Sequence, residues 1–440
     1  MRLALVIDAA RSKIQTSPIA MRLLRGAIWS VAGAIVSNGL TLLLTMLVAR
    51  TLGREQYGQF IIIQSSLGTV GVLAGFGIGT AATRYVAELK TRDPLRLSRI
   101  LALAERIVIA FGVISTIALV IFSNTIAERV LAQPSIGTLL TLSSGAVIFS
   151  AIDGYQKGTL IGFEAMRAFA AGTIASALLA IPIMLVATQL YGINGAATAL
   201  SAIALLQAGV SRYQMVREMH AKGICRYAKN LLSETSVLWT FALPALLAGA
   251  LVGPAHWAAQ AMLANTNNGY SEVAVLGIAM QWLNVIIFLP ATAGRTILPM
   301  LTDYLASPDQ KGSRYILLLA MAANTVVAVP LAAIVVLLAP AITGYYGSEF
   351  THSATPVTVA AIIGGVVAIH LPFGQVLSAA NKMWTATLTN GLWCIVYLIA
   401  AAALVERGAT GILLALLLAY ALHSVWTVWL ALSLTPQKST

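Results

Sequence analysis

The chain has 440 residues, of which 59% are hydrophobic and 10% charged, and its formal net charge is +12. Soluble chains carry roughly 25% charged residues, so this composition excludes a water-soluble globular protein and points to an all-α polytopic membrane protein. The two cysteines, Cys225 and Cys394, form no CxxC and no ligand cluster, so neither a disulfide, a metal nor a cofactor is expected.

A crossing helix needs about 20 mainly apolar residues. Residues 1–20 carry too short an apolar run for a signal peptide and read as a cytosolic lead-in, and Met21 would serve equally well as a start. Twelve apolar runs follow: 27–48, 60–81, 101–122, 138–157, 169–189, 193–212, 236–256, 273–294, 315–339, 355–377, 386–404 and 410–431. The segment 213–235 is the longest predicted connection inside and divides the runs into two lobes of six, 21–212 and 236–431, with a cytosolic tail at 432–440.

Basic loops stay cytoplasmic. With the N-terminus inside, 23 of the 27 Lys and Arg fall on the cytoplasmic side, leaving Arg50, Arg54, Arg129 and Arg407 outside. Acidic residues divide 10 to 5, so the inner side carries +13 and the outer side −1. Both termini are therefore expected in the cytoplasm. The basic excess serves topology and anionic headgroups rather than nucleic acid.

No paired carboxylates, Ser/His/Asp set or HExxH spacing occurs, and the extracytoplasmic loops are too short to hold a surface domain. An enzyme is a poor reading, and transport remains. Asn38, Gln64, Gln207, Gln281, Asn284, Asn324, His370, Gln375 and Asn390 lie in apolar runs, where an unpartnered polar group is expensive. For each one alone, interhelical hydrogen bonding is the plainer reading. Together they suggest a hydrophilic cavity almost free of fixed charge, suited to a hydroxyl-rich ligand, with Asn38, Gln281 and Asn284 as candidate contacts.

Arg84, Arg295 and Lys157 sit at the expected inner ends of the second, eighth and fourth runs, where they could meet phosphate or pyrophosphate. A snorkelling anchor is the plainer role for each. Glu88 could also pair with Arg84 at i+4. The similar placement of Arg84 and Arg295 in the two halves favours the functional reading. Gly71, Gly75 and Gly79, spaced by four, are read as a packing face. Pro182, Pro244, Pro290, Pro330 and Pro372 are expected to interrupt or bend helices. Asp153 either pairs with Lys157 at i+4, the favoured reading, or binds a coupling ion. His370 is a second candidate for protonation, with a core histidine as the plainer alternative.

The first turn contains ARTLGREQYG, with Ala49, Arg50, Leu52, Gly53, Tyr57 and Gly58. The second run ends in GFGIGTAATRYVAE, with Gly77, Gly79, Arg84, Tyr85, Ala87 and Glu88, and YQKGTLIGFEAMRAFA follows the fourth. These stretches resemble the polysaccharide-transporter branch of the multidrug/oligosaccharidyl-lipid/polysaccharide exporter superfamily, the Wzx-like O-antigen flippases. The resemblance covers about residues 21–435 and is weaker in the second half. It implies flipping of an undecaprenyl-pyrophosphate-linked oligosaccharide across the inner membrane, among membrane lipids and beside glycan polymerase and glycosyltransferases. The alternatives are an ion-coupled multidrug antiporter of the same superfamily, though the first run lacks the embedded carboxylate such proteins use, and a non-transporting scaffold of glycan assembly.

Overall fold

The computed structural model describes residues 18–75, 77–224, 234, 251–306, 311–380 and 382–434. Within them the chain is helical almost throughout. Apolar runs have little choice in lipid, because a helix satisfies every backbone N–H and C=O within its own segment.

The helices, in chain order, are α1 (Pro18–Gly75), α2 (Ile78–Leu89), α3 (Pro94–Thr125), α4 (Ser135–Ser143), α5 (Gly145–Gly162) and α6 (Met166–Ala221) in the first half. The second half holds α7 (Val252–Ala264), α8 (Gly269–Ala306), α9 (Lys311–Tyr346), α10 (Ala354–Ala379), α11 (Met383–Leu404) and α12 (Gly408–Leu434). Among the described residues, eight helical runs are long and apolar enough to cross a membrane. That number differs from the twelve apolar runs for two reasons. Three of the eight, within 31–75, 166–221 and 384–434, each carry two apolar runs, and 236–256 lies mostly outside the described residues.

Kinks at glycine explain the first two mergers. Gly53 (φ 75°) bends α1 and Gly192 (φ 58°) bends α6, in a backbone region that only glycine enters freely. Gly192 belongs to the YGING stretch where the fifth and sixth runs divide. The second run, expected to continue to 81, is instead broken by left-handed Gly77, and α2 starts afresh at Ile78. Pro182, Pro330 and Pro372 lie inside continuous helices and do not interrupt them. The sixth run continues helically to Ala221, into the stretch read as a connection. The lead-in to residue 17, Cys225, most of the connection, Pro244 and the tail from 435 lie outside the described residues.

In the first half α1 packs on α6, and α5 packs on α6 and α2. In the second half α10 packs on α8, α9 and α12, and α11 packs on α12. Between the halves, α1 meets α8 and α7. Alanine is frequent in the interior, beside large buried rings such as Tyr346 and Phe60: Ala49, Ala196, Ala259, Ala361 and Ala415 are 0% exposed, whereas Leu337 and Trp384 on the outside are 78% and 80% exposed. This distribution suits lipid, where there is no hydrophobic gain in hiding large side chains and close backbone approach carries the packing. Gly79 and Gly158 allow one such close approach, α2 to α5: a Cβ at Gly158 would stand 2.1 Å from the Gly79 carbonyl oxygen.

Candidate functional site: a hydroxyl-lined cavity closed at one end

A cavity of about 810 Å³ lies among the helices of the first half. It is lined from α1 (Thr41, Gln64, Gly68, Gly71, Gly75), the Gly77–Thr80 bend, α5 (Ser150, Gly154, Lys157) and α6 (Thr173, Ser176, Gln207). Glycine, alanine and hydroxyl side chains are the most numerous, and Leu40, Leu67, Val72, Met184 and Ile203 add large apolar surface. Several of the hydroxyls, such as Thr41 and Thr173, bond to their own helix four residues back, which leaves their remaining lone pairs to the cavity.

The glycine face divides in function. A Cβ added at Gly68, Gly71 or Gly75 would meet nothing within 4 Å, whereas one at Gly79 would meet the Gly154 carbonyl oxygen at 2.8 Å. Packing therefore accounts for Gly79 but not for Gly71 and Gly75, which form an open wall. The break at left-handed Gly77 separates them, placing Gly71 and Gly75 on α1 and Gly79 on α2 against α5.

Lys157 is the one charged side chain among the described lining residues. Its Nζ lies 2.7 Å from Asp153 Oδ2, and Ser211 on α6 donates to Asp153 Oδ1 at 2.6 Å. Asp153 is buried and both its oxygens are engaged, so the carboxylate is paired in the i,i+4 manner. Beyond Lys157 the same end carries further pairs, Lys90 with Glu164 and Arg212 with Glu105. Arg96 and Arg99 converge there on buried Glu234 at 3.1 and 3.2 Å, tying that residue to α3.

The other end is shut by contacts between the halves. Arg54 Nη2 lies 2.9 Å from Glu272 Oε1, and the Arg54 backbone N–H donates to Glu349 Oε2 at 2.6 Å. Arg50 Nε donates to the Tyr345 carbonyl at 2.6 Å. Glu272 also accepts the N–H of Ala409 at 2.8 Å through Oε2. Gly58 permits this closure, because a Cβ there would stand 1.7 Å from the Tyr270 carbonyl oxygen. Deeper in, Tyr57 is 0% exposed and meets Phe350 edge-on, with ring centroids 6.3 Å apart. Next, Gln281 Nε2 donates to Thr45 Oγ1 at 2.7 Å, while Tyr346 OH donates to Gln281 Oε1 at 3.2 Å. Ser66 accepts from Trp257 Nε1 at 2.8 Å.

The residues singled out in the sequence thus fall into separate places. Lys157, Gln64 and Gln207 line the cavity, while Gln281 belongs to the closure. Asn38 is exposed on α1 next to lining Ser37, and Asn284 is exposed on α8. Arg84 is exposed on α2 with its guanidinium 5.9 Å from the Tyr85 ring, and neighbouring Thr83 donates to the Gly158 carbonyl at 2.9 Å. Arg295 is helical within α8, and its side chain lies outside the described residues. His370 is buried on α10, facing His423 at 5.2 Å and Tyr420 at 6.3 Å between ring centroids. Asn324 Nδ2 donates to the Ala368 carbonyl at 2.9 Å, an interhelical bond. The hydroxyl lining and the Arg54 latch were missed, because Ser and Thr are unremarkable in helices and nothing in the spacing of Arg54, Glu272 and Glu349 says that they meet.

Residues 23–305 match the sequence profile of a family described as polysaccharide biosynthesis protein. The chain belongs to that family. The resemblance to the polysaccharide-transporter branch of the exporter superfamily is borne out. The EPS I polysaccharide export inner membrane protein EpsE of Ralstonia nicotianae is 25% identical over 405 residues, covering 90% of this chain and 91% of its own. The lipid III flippase of Escherichia coli is 25% identical over 186 residues, 42% of this chain and 44% of its own. Two solved structures share the fold. An inward-facing multidrug resistance MATE family transporter of the MOP superfamily superposes with TM-score 0.74 and 13% identity, over 93% of this chain and 98% of that one. The lipid II flippase MurJ, in an inward closed conformation, gives 0.71 and 15%, over 91% and 87%.

Proposed function

We propose that this polysaccharide biosynthesis protein flips a lipid-linked oligosaccharide, carried on undecaprenyl pyrophosphate, from the cytoplasmic to the outer leaflet of the bacterial inner membrane. The observation that carries the reading is a hydroxyl-lined cavity whose single charged lining residue among those described is a cation, Lys157, while contacts between the halves close the opposite end. Sugar hydroxyls need such a lining where water is scarce, and a diphosphate needs a cation. The prenyl tail stays in lipid. The names of the two relatives, one in polysaccharide export and one a lipid III flippase, support the same direction.

In this reading twelve spans form two rocking lobes, 21–212 and 236–431, with both termini cytoplasmic. The Arg54 latch then seals the outer side and Lys157 lies toward the cytoplasm, in a loading state. Arg84 and Arg295 receive the diphosphate at the mouth and pass it to Lys157. Asn38, Gln281 and Asn284 meet the glycan as the lobes move. A multidrug antiporter for organic cations fits the site less well, since the described lining carries no carboxylate.

Purified protein in vesicles decides between the two. Labelled lipid-linked glycan should reach the opposite leaflet and cationic dyes should not. Arg84→Ala, Arg295→Ala and Lys157→Ala should each lower glycan delivery, and full delivery in all three would overturn the assignment of the cations.

A further inference from the structure

The pairing of Lys157 raises a question that the cavity alone does not. The one charge offered to a ligand by the described lining is already neutralised by Asp153, at 2.7 Å. Asp153 does not line the cavity and is 6% exposed. Its other oxygen is bonded by Ser211 from α6 at 2.6 Å, so the carboxylate is fixed across two helices. The Lys157 side chain is 27% exposed. Of the two partners, the ammonium on its flexible four-carbon stem is the one able to move.

We propose that Asp153 is a built-in competitor for the anion site, holding Lys157 when the cavity is empty and releasing it to a diphosphate. A carboxylate carries one negative charge, and a diphosphate ester offers more than one on several oxygens around a compact ammonium. A polyvalent phosphate therefore displaces Asp153 where a monovalent anion does not. Because the lysine returns to Asp153, the diphosphate is also let go again. An uncompensated lysine would grip the diphosphate in every conformation, and tight binding that does not differ between states moves no equilibrium. Asp153 would then set both the selectivity of the cavity for diphosphates and the reversibility of loading. The identity of the diphosphate's lipid carrier rests on the flippase reading, whereas the competition at Lys157 does not.

The test is calorimetric binding of inorganic pyrophosphate to the purified full chain. Wild type should bind weakly, and Asp153→Asn about tenfold more tightly, as expected when one carboxylate is removed from beside the ammonium. Asp153→Asn combined with Lys157→Met should lose the gain. Where Asp153→Asn lowers the melting temperature, Asp153→Ser, smaller and likewise uncharged, replaces it. Unchanged or weaker pyrophosphate binding in a folded Asp153 variant, or a gain that survives Lys157→Met, would overturn the proposal. Vesicle delivery of lipid-linked glycan is scored separately. Tightened pyrophosphate binding with no glycan delivery in wild type would sink the flippase reading and leave the competition intact, and the reverse outcome would do the opposite.

Discussion

The guanidinium of Arg54, at the kink of α1, lies 2.9 Å from the carboxylate of Glu272 at the start of α8. These residues come from different halves of the chain, so the pair can exist only while the halves are together at this end. With the Glu349 and Tyr345 contacts beside it, it forms a latch that must open if the two halves are to rock apart.

Arg54→Ala should loosen this end without unfolding either half. Partly exposed ion pairs contribute about 0.2–1 kcal/mol each, so losing the guanidinium contacts to Glu272 and, from Nη1, to the Glu349 carbonyl at 3.2 Å shifts the balance by about 1–2 kcal/mol, roughly a 5- to 30-fold change in population. Spin labels at exposed Gln56 and Ser348 should report a new, longer distance. A single unchanged distance would show that the latch does not hold the closed state.

Gly71→Val and Gly75→Val should leave the melting temperature near that of the native chain, because an added Cβ meets no neighbour, and should reduce glycan delivery by filling the groove. Gly58→Ala should do the reverse in kind. Its Cβ would collide with the Tyr270 carbonyl, which lowers stability by more than about 1–3 kcal/mol unless the halves separate there. A fall in melting temperature for the Gly71 and Gly75 variants would return these glycines to a packing role.

Gln281→Leu removes the bonds to Thr45 and Tyr346. Each contributes about 0.5–1.5 kcal/mol net, and the partners are left wanting. The expected outcome is easier opening on the latch side, seen as faster labelling of a cysteine introduced at buried Val48, which leaves Thr45 in place. Labelling at the native rate would show that Gln281 does not bridge the halves.

His370→Leu should be tolerated. The Nδ1 atom of His370 is buried without a hydrogen-bond partner among the described residues, so an apolar replacement removes a desolvated polar group and costs little. Delivery and melting temperature should stay close to native. Lost delivery in a protein that remains folded would instead assign His370 to ion coupling.

By itself, the sequence determined what depends on composition and short-range order. Apolar runs that cannot leave their backbone unsatisfied in lipid become helices, and YGING and TLG supply the glycines at which α6 and α1 bend. The intrahelical pair of Asp153 and Lys157 was likewise legible, since i and i+4 lie on one face whatever the fold. Tertiary structure decided what depends on a partner distant in the chain. Gly71 and Gly79 share a spacing, yet the break at Gly77 sets them on separate helices, one facing open space and the other a backbone. Arg54 reads as a stray outer charge until Glu272 and Glu349 are brought to it. Ser211 could not be linked to Asp153 before α6 lay against α5. The physical reason is common to all three: helix periodicity sets which side chains share a face, and only the packing of helix on helix sets what that face meets.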